Sequence, residues 1–213
     1  MEEVLQFLCG IRPLSAECLA YLRRVVKERE VKKDDVILKI GDVNDKLYFI
    51  GAGALHCFYY VKAKPVSDWF FWKGEIVVSI GSFYDQVPSE DCIVALEASA
   101  LFYITREQYD YLNATFLEFN YVARVLLEKY LKIFNGHARF IRKHPAAERY
   151  QLVLLKKPEL VHRVSVAALA TWLGIEPNSL SRIREELNKK NSIEKGTKKG
   201  RNGLKKGHNR GLK

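Results

Sequence analysis

The most chemically pointed stretch of the sequence is residues 164–187, V-S-V-A-A-L-A-T-W-L-G-I-E-P-N-S-L-S-R-I-R-E-E-L. Ser165 is a good N-cap, because a serine oxygen accepts from the unpaired amides of a helix start. Ala168, Leu169, Trp172 and Leu173 make one apolar face, and Gly174 stands where that helix must end in a left-handed residue. Ile175 can plug the angle to a second helix, which opens at Glu176 or Pro177, since proline suits a first helical turn. Leu180, Ile183 and Leu187 give this helix an inward face and leave Asn178, Ser179, Ser181, Arg182 and Glu185 outward. That pattern predicts a helix-turn-helix, whose second helix lies in the major groove of DNA. Arg182 could then read guanine through bidentate bonds to O6 and N7, and Asn178 could pair with adenine. Ser181 belongs to the same outward face. Ser165, Ser179 and Arg184 suit phosphate contacts, which fix register rather than sequence. A plain helical hairpin shares the glycine turn, so the window needs support from elsewhere in the chain.

Charge supplies some of it. The 213 residues carry a net +10, distributed as −3 over residues 1–137, +4 over 138–187 and +9 over 188–213. An acidic front and a basic rear suggest that the rear meets a polyanion, although a basic tail can also be merely solvated. Residues 188–213 hold Lys, Arg, Gly and Asn with only scattered Ile193, Leu204 and Leu212. Such a composition cannot form a core and predicts a disordered basic tail.

A reader of two half-sites needs a device that pairs two chains. From about Leu117 to His144 the apolar pattern is helical, and Leu127, Tyr130, Phe134, His137 and Ile141 recur at spacings of 3, 4, 3 and 4, as in a coiled-coil seam. Val122, Val125, Leu126, Leu131 and Ile133 widen that surface, so the helix is expected to pack on its own domain and on a partner helix at once. A single wide core face within a monomer is the competing reading. Gly136 is a predicted weak point in the helix, and Pro145 ends it. A further helix is expected over roughly Ala146–Lys156, closed by Pro158.

In front of these elements, residues 2–28 read as helical in two pieces parted by Pro13, with Ser15 placed to start the second. From Glu30 to Thr105 the signal changes to short runs rich in Val, Ile, Phe, Tyr and Trp: Val36–Ile40, Leu47–Ile50, Leu55–Val61, Val66–Trp72, Ile76–Ile80, Ile93–Leu96 and Leu101–Ile104. Gly41-Asp42 and Gly51-Ala52-Gly53 read as turns. Seven or eight short strands predict a sandwich or jelly roll, and Arg106–Phe116 an amphipathic helix after it.

This order of parts resembles the Crp–Fnr superfamily, the regulators related to the cyclic-AMP receptor protein and the fumarate–nitrate regulator. The resemblance covers about residues 1–187. It is carried by G-D-V-N-D-K-L-Y-F-I at 41–50 with Gly53 following, W-K-G-E-I-V at 72–77, A-L-E-A-S-A-L-F-Y-I at 95–104 and L-G-I-E-P-N-S-L-S-R-I-R at 173–184. It implies an α+β chain with four parts: a cyclic-nucleotide-binding-like jelly roll (double-stranded β-helix) over 1–116, a dimerisation helix over 117–144, a helix-turn-helix domain over 145–187 and the tail. It also implies a homodimer on double-stranded DNA, with Arg182 as the recognition-helix arginine that contacts guanine, and it admits RNA polymerase as a partner.

The departures are as informative. Nucleotide-binding members carry a glycine–glutamate pair for the ribose and an arginine–serine or arginine–threonine pair for the cyclic phosphate. Counting without gaps from Gly74 puts Val78-Ser79 and Ser89-Glu90 at those pairs, and residues 78–94 contain no Lys or Arg. Ser79, Ser89 and Glu90 therefore mark a degenerate effector pocket, and cyclic AMP is not expected to bind in the usual way. Cys9, Cys18, Cys57 and Cys92 form no close-spaced set for an iron–sulfur cluster and are expected to be reduced. His56, the one histidine in the sandwich region, is expected at the surface or in a pocket rather than as a haem ligand. No cofactor and no metal are expected. With no H-x-H pair, G-x-S-x-G, H-E-x-x-H or phosphate loop in the sequence, an enzyme is not expected either. No run of eighteen apolar residues suggests a membrane span, and the acidic start Met1-Glu2-Glu3 is unlike a signal peptide, so a cytoplasmic chain is expected.

Sequence thus points to a transcription regulator reading an inverted repeat, with effector and operator unspecified. The competing class is an effector- or partner-binding jelly-roll dimer whose basic tail binds nucleic acid without sequence preference. The family's β-hairpin wing is expected to be missing after Leu187. The tail yields a direct test. Removing residues 190–213 is expected to weaken binding to all duplexes alike and to flatten the dependence of log K on log salt, measured by fluorescence anisotropy. An unchanged slope would make the tail irrelevant to DNA.

Overall fold

In the computed structural model of the chain, residues 1–189 are described; the expected tail and the missing wing fall almost wholly outside them. The described residues form two compact units, one from residue 1 to 143 and one from residue 144 onward. Among them, no helix is long and apolar enough to cross a membrane.

The first unit opens with two short helices, α1 (Glu2–Ile11) and α2 (Ala16–Val25). The Ser15 hydroxyl starts α2 as expected, accepting from the Cys18 amide at 3.2 Å. The chain then enters β1 (Lys27–Val31), β2 (Val36–Leu38), β3 (Lys46–Ala52), β4 (Ala54–Val61), β5 (Lys64–Trp72) and β6 (Ile76–Val77). A one-and-a-half-turn helix, α3 (Ile80–Asp85), separates β6 from β7 (Cys92–Ala95) and β8 (Ser99–Thr105). These eight strands make two four-stranded sheets, ordered β1-β8-β3-β6 and β2-β7-β4-β5, every pairing antiparallel. This is the expected jelly roll.

Three differences from the sequence expectation have physical reasons. The segment Lys-Glu-Arg-Glu-Val is strand β1, not the end of a helix; it pairs only with β8, and an edge strand facing water can be almost wholly charged. The apolar run at 76–80 is a two-residue strand that passes into α3, because the Ser79 amide turns to the Asn44 side chain at 2.8 Å instead of a neighbouring strand. Gly51 and Ala52 finish β3, so only Gly53 makes the turn. Gly53 has φ +92°, and a Cβ there would lie 2.1 Å from Ser99 Oγ and 2.8 Å from the Ala98 carbonyl oxygen.

Helix α4 (Arg106–Thr115) starts with a complete capping box between Thr105 and Gln108. Helix α5 (Leu117–Lys143) follows and runs unbroken through Gly136. A Cβ on this glycine would touch nothing. A single apolar core joins α1, α2, α4 and the first half of α5 to one sheet, through Leu5, Leu8, Leu22, Phe49, Phe102 and Val122.

The second unit is helical throughout its described length: α6 (Ala146–Lys156), α7 (Pro158–Arg163), α8 (Val166–Trp172) and α9, covering residues 177–189. Pro158 does close α6, but it also opens α7 as its first residue, where its missing N–H costs nothing.

Gly53 is the position where a minimal substitution should cost most. Gly53→Ala is expected to lower the unfolding free energy by about 1–3 kcal/mol from backbone strain, with the Ser99 clash added, as read from urea denaturation. A variant as stable as the parent would contradict the turn.

Candidate functional site

The second unit presents one outward helix. The Ser165 hydroxyl caps α8 by accepting from the Ala168 amide at 3.1 Å. The α8 chain ends at Leu173, and Gly174 follows at φ +62°, its amide donating to the Thr171 carbonyl at 2.9 Å while Ile175 donates to Ala170 at 2.9 Å. That is the left-handed stop expected there. Ile175, which lies between α8 and α9 in the chain, is buried, as are Leu169, Ala170, Leu173 and Leu180. Tyr150 and Val153 of α6 and Leu160 of α7 are buried as well.

With Leu180 fully buried and Ile183 and Leu187 half-buried, α9 turns Asn178, Ser179, Ser181 and Arg182 to solvent. At 100° per residue, Asn178, Ser181, Arg182 and Glu185 share one stripe and Ser179 flanks it. The Ser181 hydroxyl donates back to the Pro177 carbonyl at 3.2 Å, so it is partly occupied within its own helix. Arg184 departs from the expected grouping. It is half-buried on the flank of α9, lining a groove with Tyr150, Gln151, Leu154 and Leu155 of α6. Ser165 is exposed at the start of α8, a different element from the Asn178–Arg182 stripe.

The residues expected along the pairing helix split between two environments. Val122 is fully buried within its own unit. Tyr130 accepts a hydrogen bond from the Ile76 amide at 2.7 Å through its phenol oxygen. Phe134 and His137 pack edge-on against Trp69 of β5, with ring centroids 5.1 and 5.2 Å away. These four therefore face the chain's own sandwich, which the heptad-like spacing did not separate from a partner-facing seam. Leu127 stays exposed at 46% and Ile141 half-buried, and Leu131, one turn beyond Leu127, is exposed at 70%.

At the degenerate pocket, Ser79 and Ser89 are buried and Glu90 is exposed, so the three do not form one surface. The Ser79 hydroxyl donates to the Asp91 carboxylate at 2.6 Å, and the Ser89 hydroxyl lies 3.0 Å from both Ser79 Oγ and the Asp91 carbonyl. Asn44 anchors the other side: its side-chain oxygen accepts from the Ser79 amide, and its backbone N–H donates to Ser82 Oγ at 2.8 Å. Asn44 was not singled out from the sequence, although it lies inside the G-D-V-N-D-K motif; Asp91 is one of the three carboxylates, with Asp85 and Glu90, that make residues 78–94 hostile to a phosphate.

The remaining chemistry-bearing groups are scattered. All four cysteines are free thiols, and burial pushes Cys18 up to about 11 and raises Cys57 as well, keeping both protonated. Among the described residues, no group of three His, Cys, Asp or Glu is placed to hold a metal ion. His56 is half-buried, stacked on Phe70 at 4.7 Å with Nε2 2.8 Å from Ser67 Oγ.

Solved structures place this architecture among known folds. FixK2 from Bradyrhizobium japonicum matches with a TM-score of 0.66 at 14% identity, covering 78% of this chain and 86% of its own. CLP from Xanthomonas campestris, a c-di-GMP responsive global regulator, matches at 0.67 and 20% identity, covering 83% and 93%. A chain from Eubacterium rectale assigned to the crp/fnr family of transcriptional regulators matches at 0.67 and 14%, covering 83% and 85%. This chain has the Crp–Fnr regulator fold. No protein-family model and no curated protein matches its sequence.

The Crp–Fnr sandwich here carries one pH-sensitive group in its wall. Burial lowers His56 from its ordinary value of 6.5 to about 4. A histidine whose folded value lies below its unfolded one stabilises the neutral state. That contribution is fully present above pH 6.5 and is lost as pH falls from 6.5 towards 4. His56→Phe is expected to flatten stability against pH in that window, measured by urea midpoints between pH 7 and 4. An unaltered acid slope would mean that His56 does not carry it.

Proposed function

We propose that the protein is a sequence-specific DNA-binding transcription regulator that acts as a homodimer on an inverted-repeat operator and does not respond to cyclic AMP. The observation that carries this reading is the exposed stripe of Asn178, Ser181 and Arg182 on a helix set by a buried Leu180 and a Gly174 stop. Its residue types match donors and acceptors of base edges in the major groove. The likeness to regulators of the Crp–Fnr fold supports it.

Pairing is supported by what α5 leaves uncovered. Leu127 and Leu131 lie one helical turn apart and are exposed, on a helix whose other face is already taken by the sandwich. Two chains joined there would carry two recognition helices to half-sites ~34 Å apart, about one duplex turn. Asn178 and Arg182 would read bases, while Ser165, Ser179 and Arg184 would contact phosphate, Arg184 only after swinging out of its groove. The case against cyclic AMP is electrostatic. A cyclic phosphate at Ser79 and Ser89 would meet the Asp91 carboxylate and no cation on residues 78–94, so the residues present do not fit it.

Arg182→Ala is expected to cost about 1–3 kcal/mol per half-site and to relax base choice at the position it reads. Titrations on a matched and a scrambled duplex test this. An equal loss on both would reduce Arg182 to a phosphate contact.

A further inference from the structure

Helix α8 carries no basic residue in its last turn, although the negative end of a helix dipole favours one. Cations reach that end from elsewhere in the unit. Arg149, near the start of α6 and half-buried, donates through Nη2 to the Gly174 carbonyl at 3.4 Å. Lys157, just past the end of α6, holds its ammonium 5.9 Å from the centre of the Trp172 ring. The Arg149 bond is long, and the charge on its donor strengthens it.

The Gly174 carbonyl sits at a sensitive place. Gly174, Ile175 and Glu176 alone join the end of α8 at Leu173 to the start of α9 at residue 177. The Gly174 and Ile175 amides are bonded back into α8, and the Glu176 carbonyl accepts from the Ser179 and Leu180 amides of α9. Among the described residues, Arg149 is the one side chain from another helix that bonds to this connection. Burial of Ile175 and Leu180 decides which face of α9 turns inward, but apolar contact has no direction. The Arg149 bond has one. It ties the link between α8 and α9 to α6, and α9 begins three residues beyond the tied carbonyl.

We propose that Arg149 is a positioning residue for DNA reading. It fixes the α8–α9 connection against α6 and so sets the pose in which Asn178 and Arg182 meet base edges, without contacting DNA itself. The role in reading rests on the regulator function proposed above; the tether to Gly174 does not.

The test compares the full chain with Arg149→Met, which keeps an apolar stem and removes the charge and the donors, and with Arg149→Lys. Anisotropy titrations on the duplex most enriched from a random pool, and on its scramble, give a selectivity ratio. Arg149→Met is expected to lower that ratio about tenfold, by weakening the enriched duplex alone, with the scrambled affinity and the salt slope unchanged. Arg149→Lys keeps the charge and should fall between parent and Arg149→Met; it serves if the Met variant loses its fold. Hydrogen exchange at the Ile175 amide should quicken in Arg149→Met, and unaltered exchange would overturn the tether. Equal weakening of both duplexes with a flatter salt slope would make Arg149 a phosphate contact and overturn the positioning role, as would an unchanged ratio in both variants. A parent chain that selects no duplex overturns the regulator reading, and exchange at Ile175 then decides the tether by itself.

Discussion

The structure depends on one helix being fastened along one side. Over 27 residues α5 must cover apolar sheet surface that the two sheets cannot bury against each other. It does so with Val122 and Leu126 in the core shared with α1 and α2, then with Tyr130, Phe134 and His137 against β5 and β6. The Tyr130 bond to the Ile76 amide fixes the helix rotation at its middle. That rotation decides which apolar residues stay outside, and it leaves Leu127 and Leu131 there.

How much of this could be read from sequence follows from where each element gets its order. Strands β3, β4, β5, β7 and β8 were legible because they carry runs of β-branched and aromatic residues. Strand β1 was not, because its order comes from pairing with β8 and its composition from facing water. Helix α3 was hidden behind an apolar run whose strand is cut short by the side chain of Asn44, 35 residues earlier. On α5, spacing alone gave the helix but not its orientation; the 3,4 repeat is equally satisfied by a seam and by a face glued to a sandwich.

The second unit was more legible, because its signals are local. Gly174 supplies a positive φ at the one place where the chain must reverse between two helices. Ser165 supplies a cap, and Leu180 decides by burial which face of α9 is turned away from solvent. What spacing could not give was the flank on which Arg184 lies, which depends on the position of α6.

The account stands on the claim that Asn178, Ser181 and Arg182 read base edges from two paired chains. Selection of bound duplexes from a random pool, with the purified chain at near-physiological salt and again without residues 190–213, tests it most directly. A two-fold symmetric motif with half-sites one duplex turn apart, recovered by both proteins, is the predicted result. Unenriched DNA from the truncated chain would contradict it.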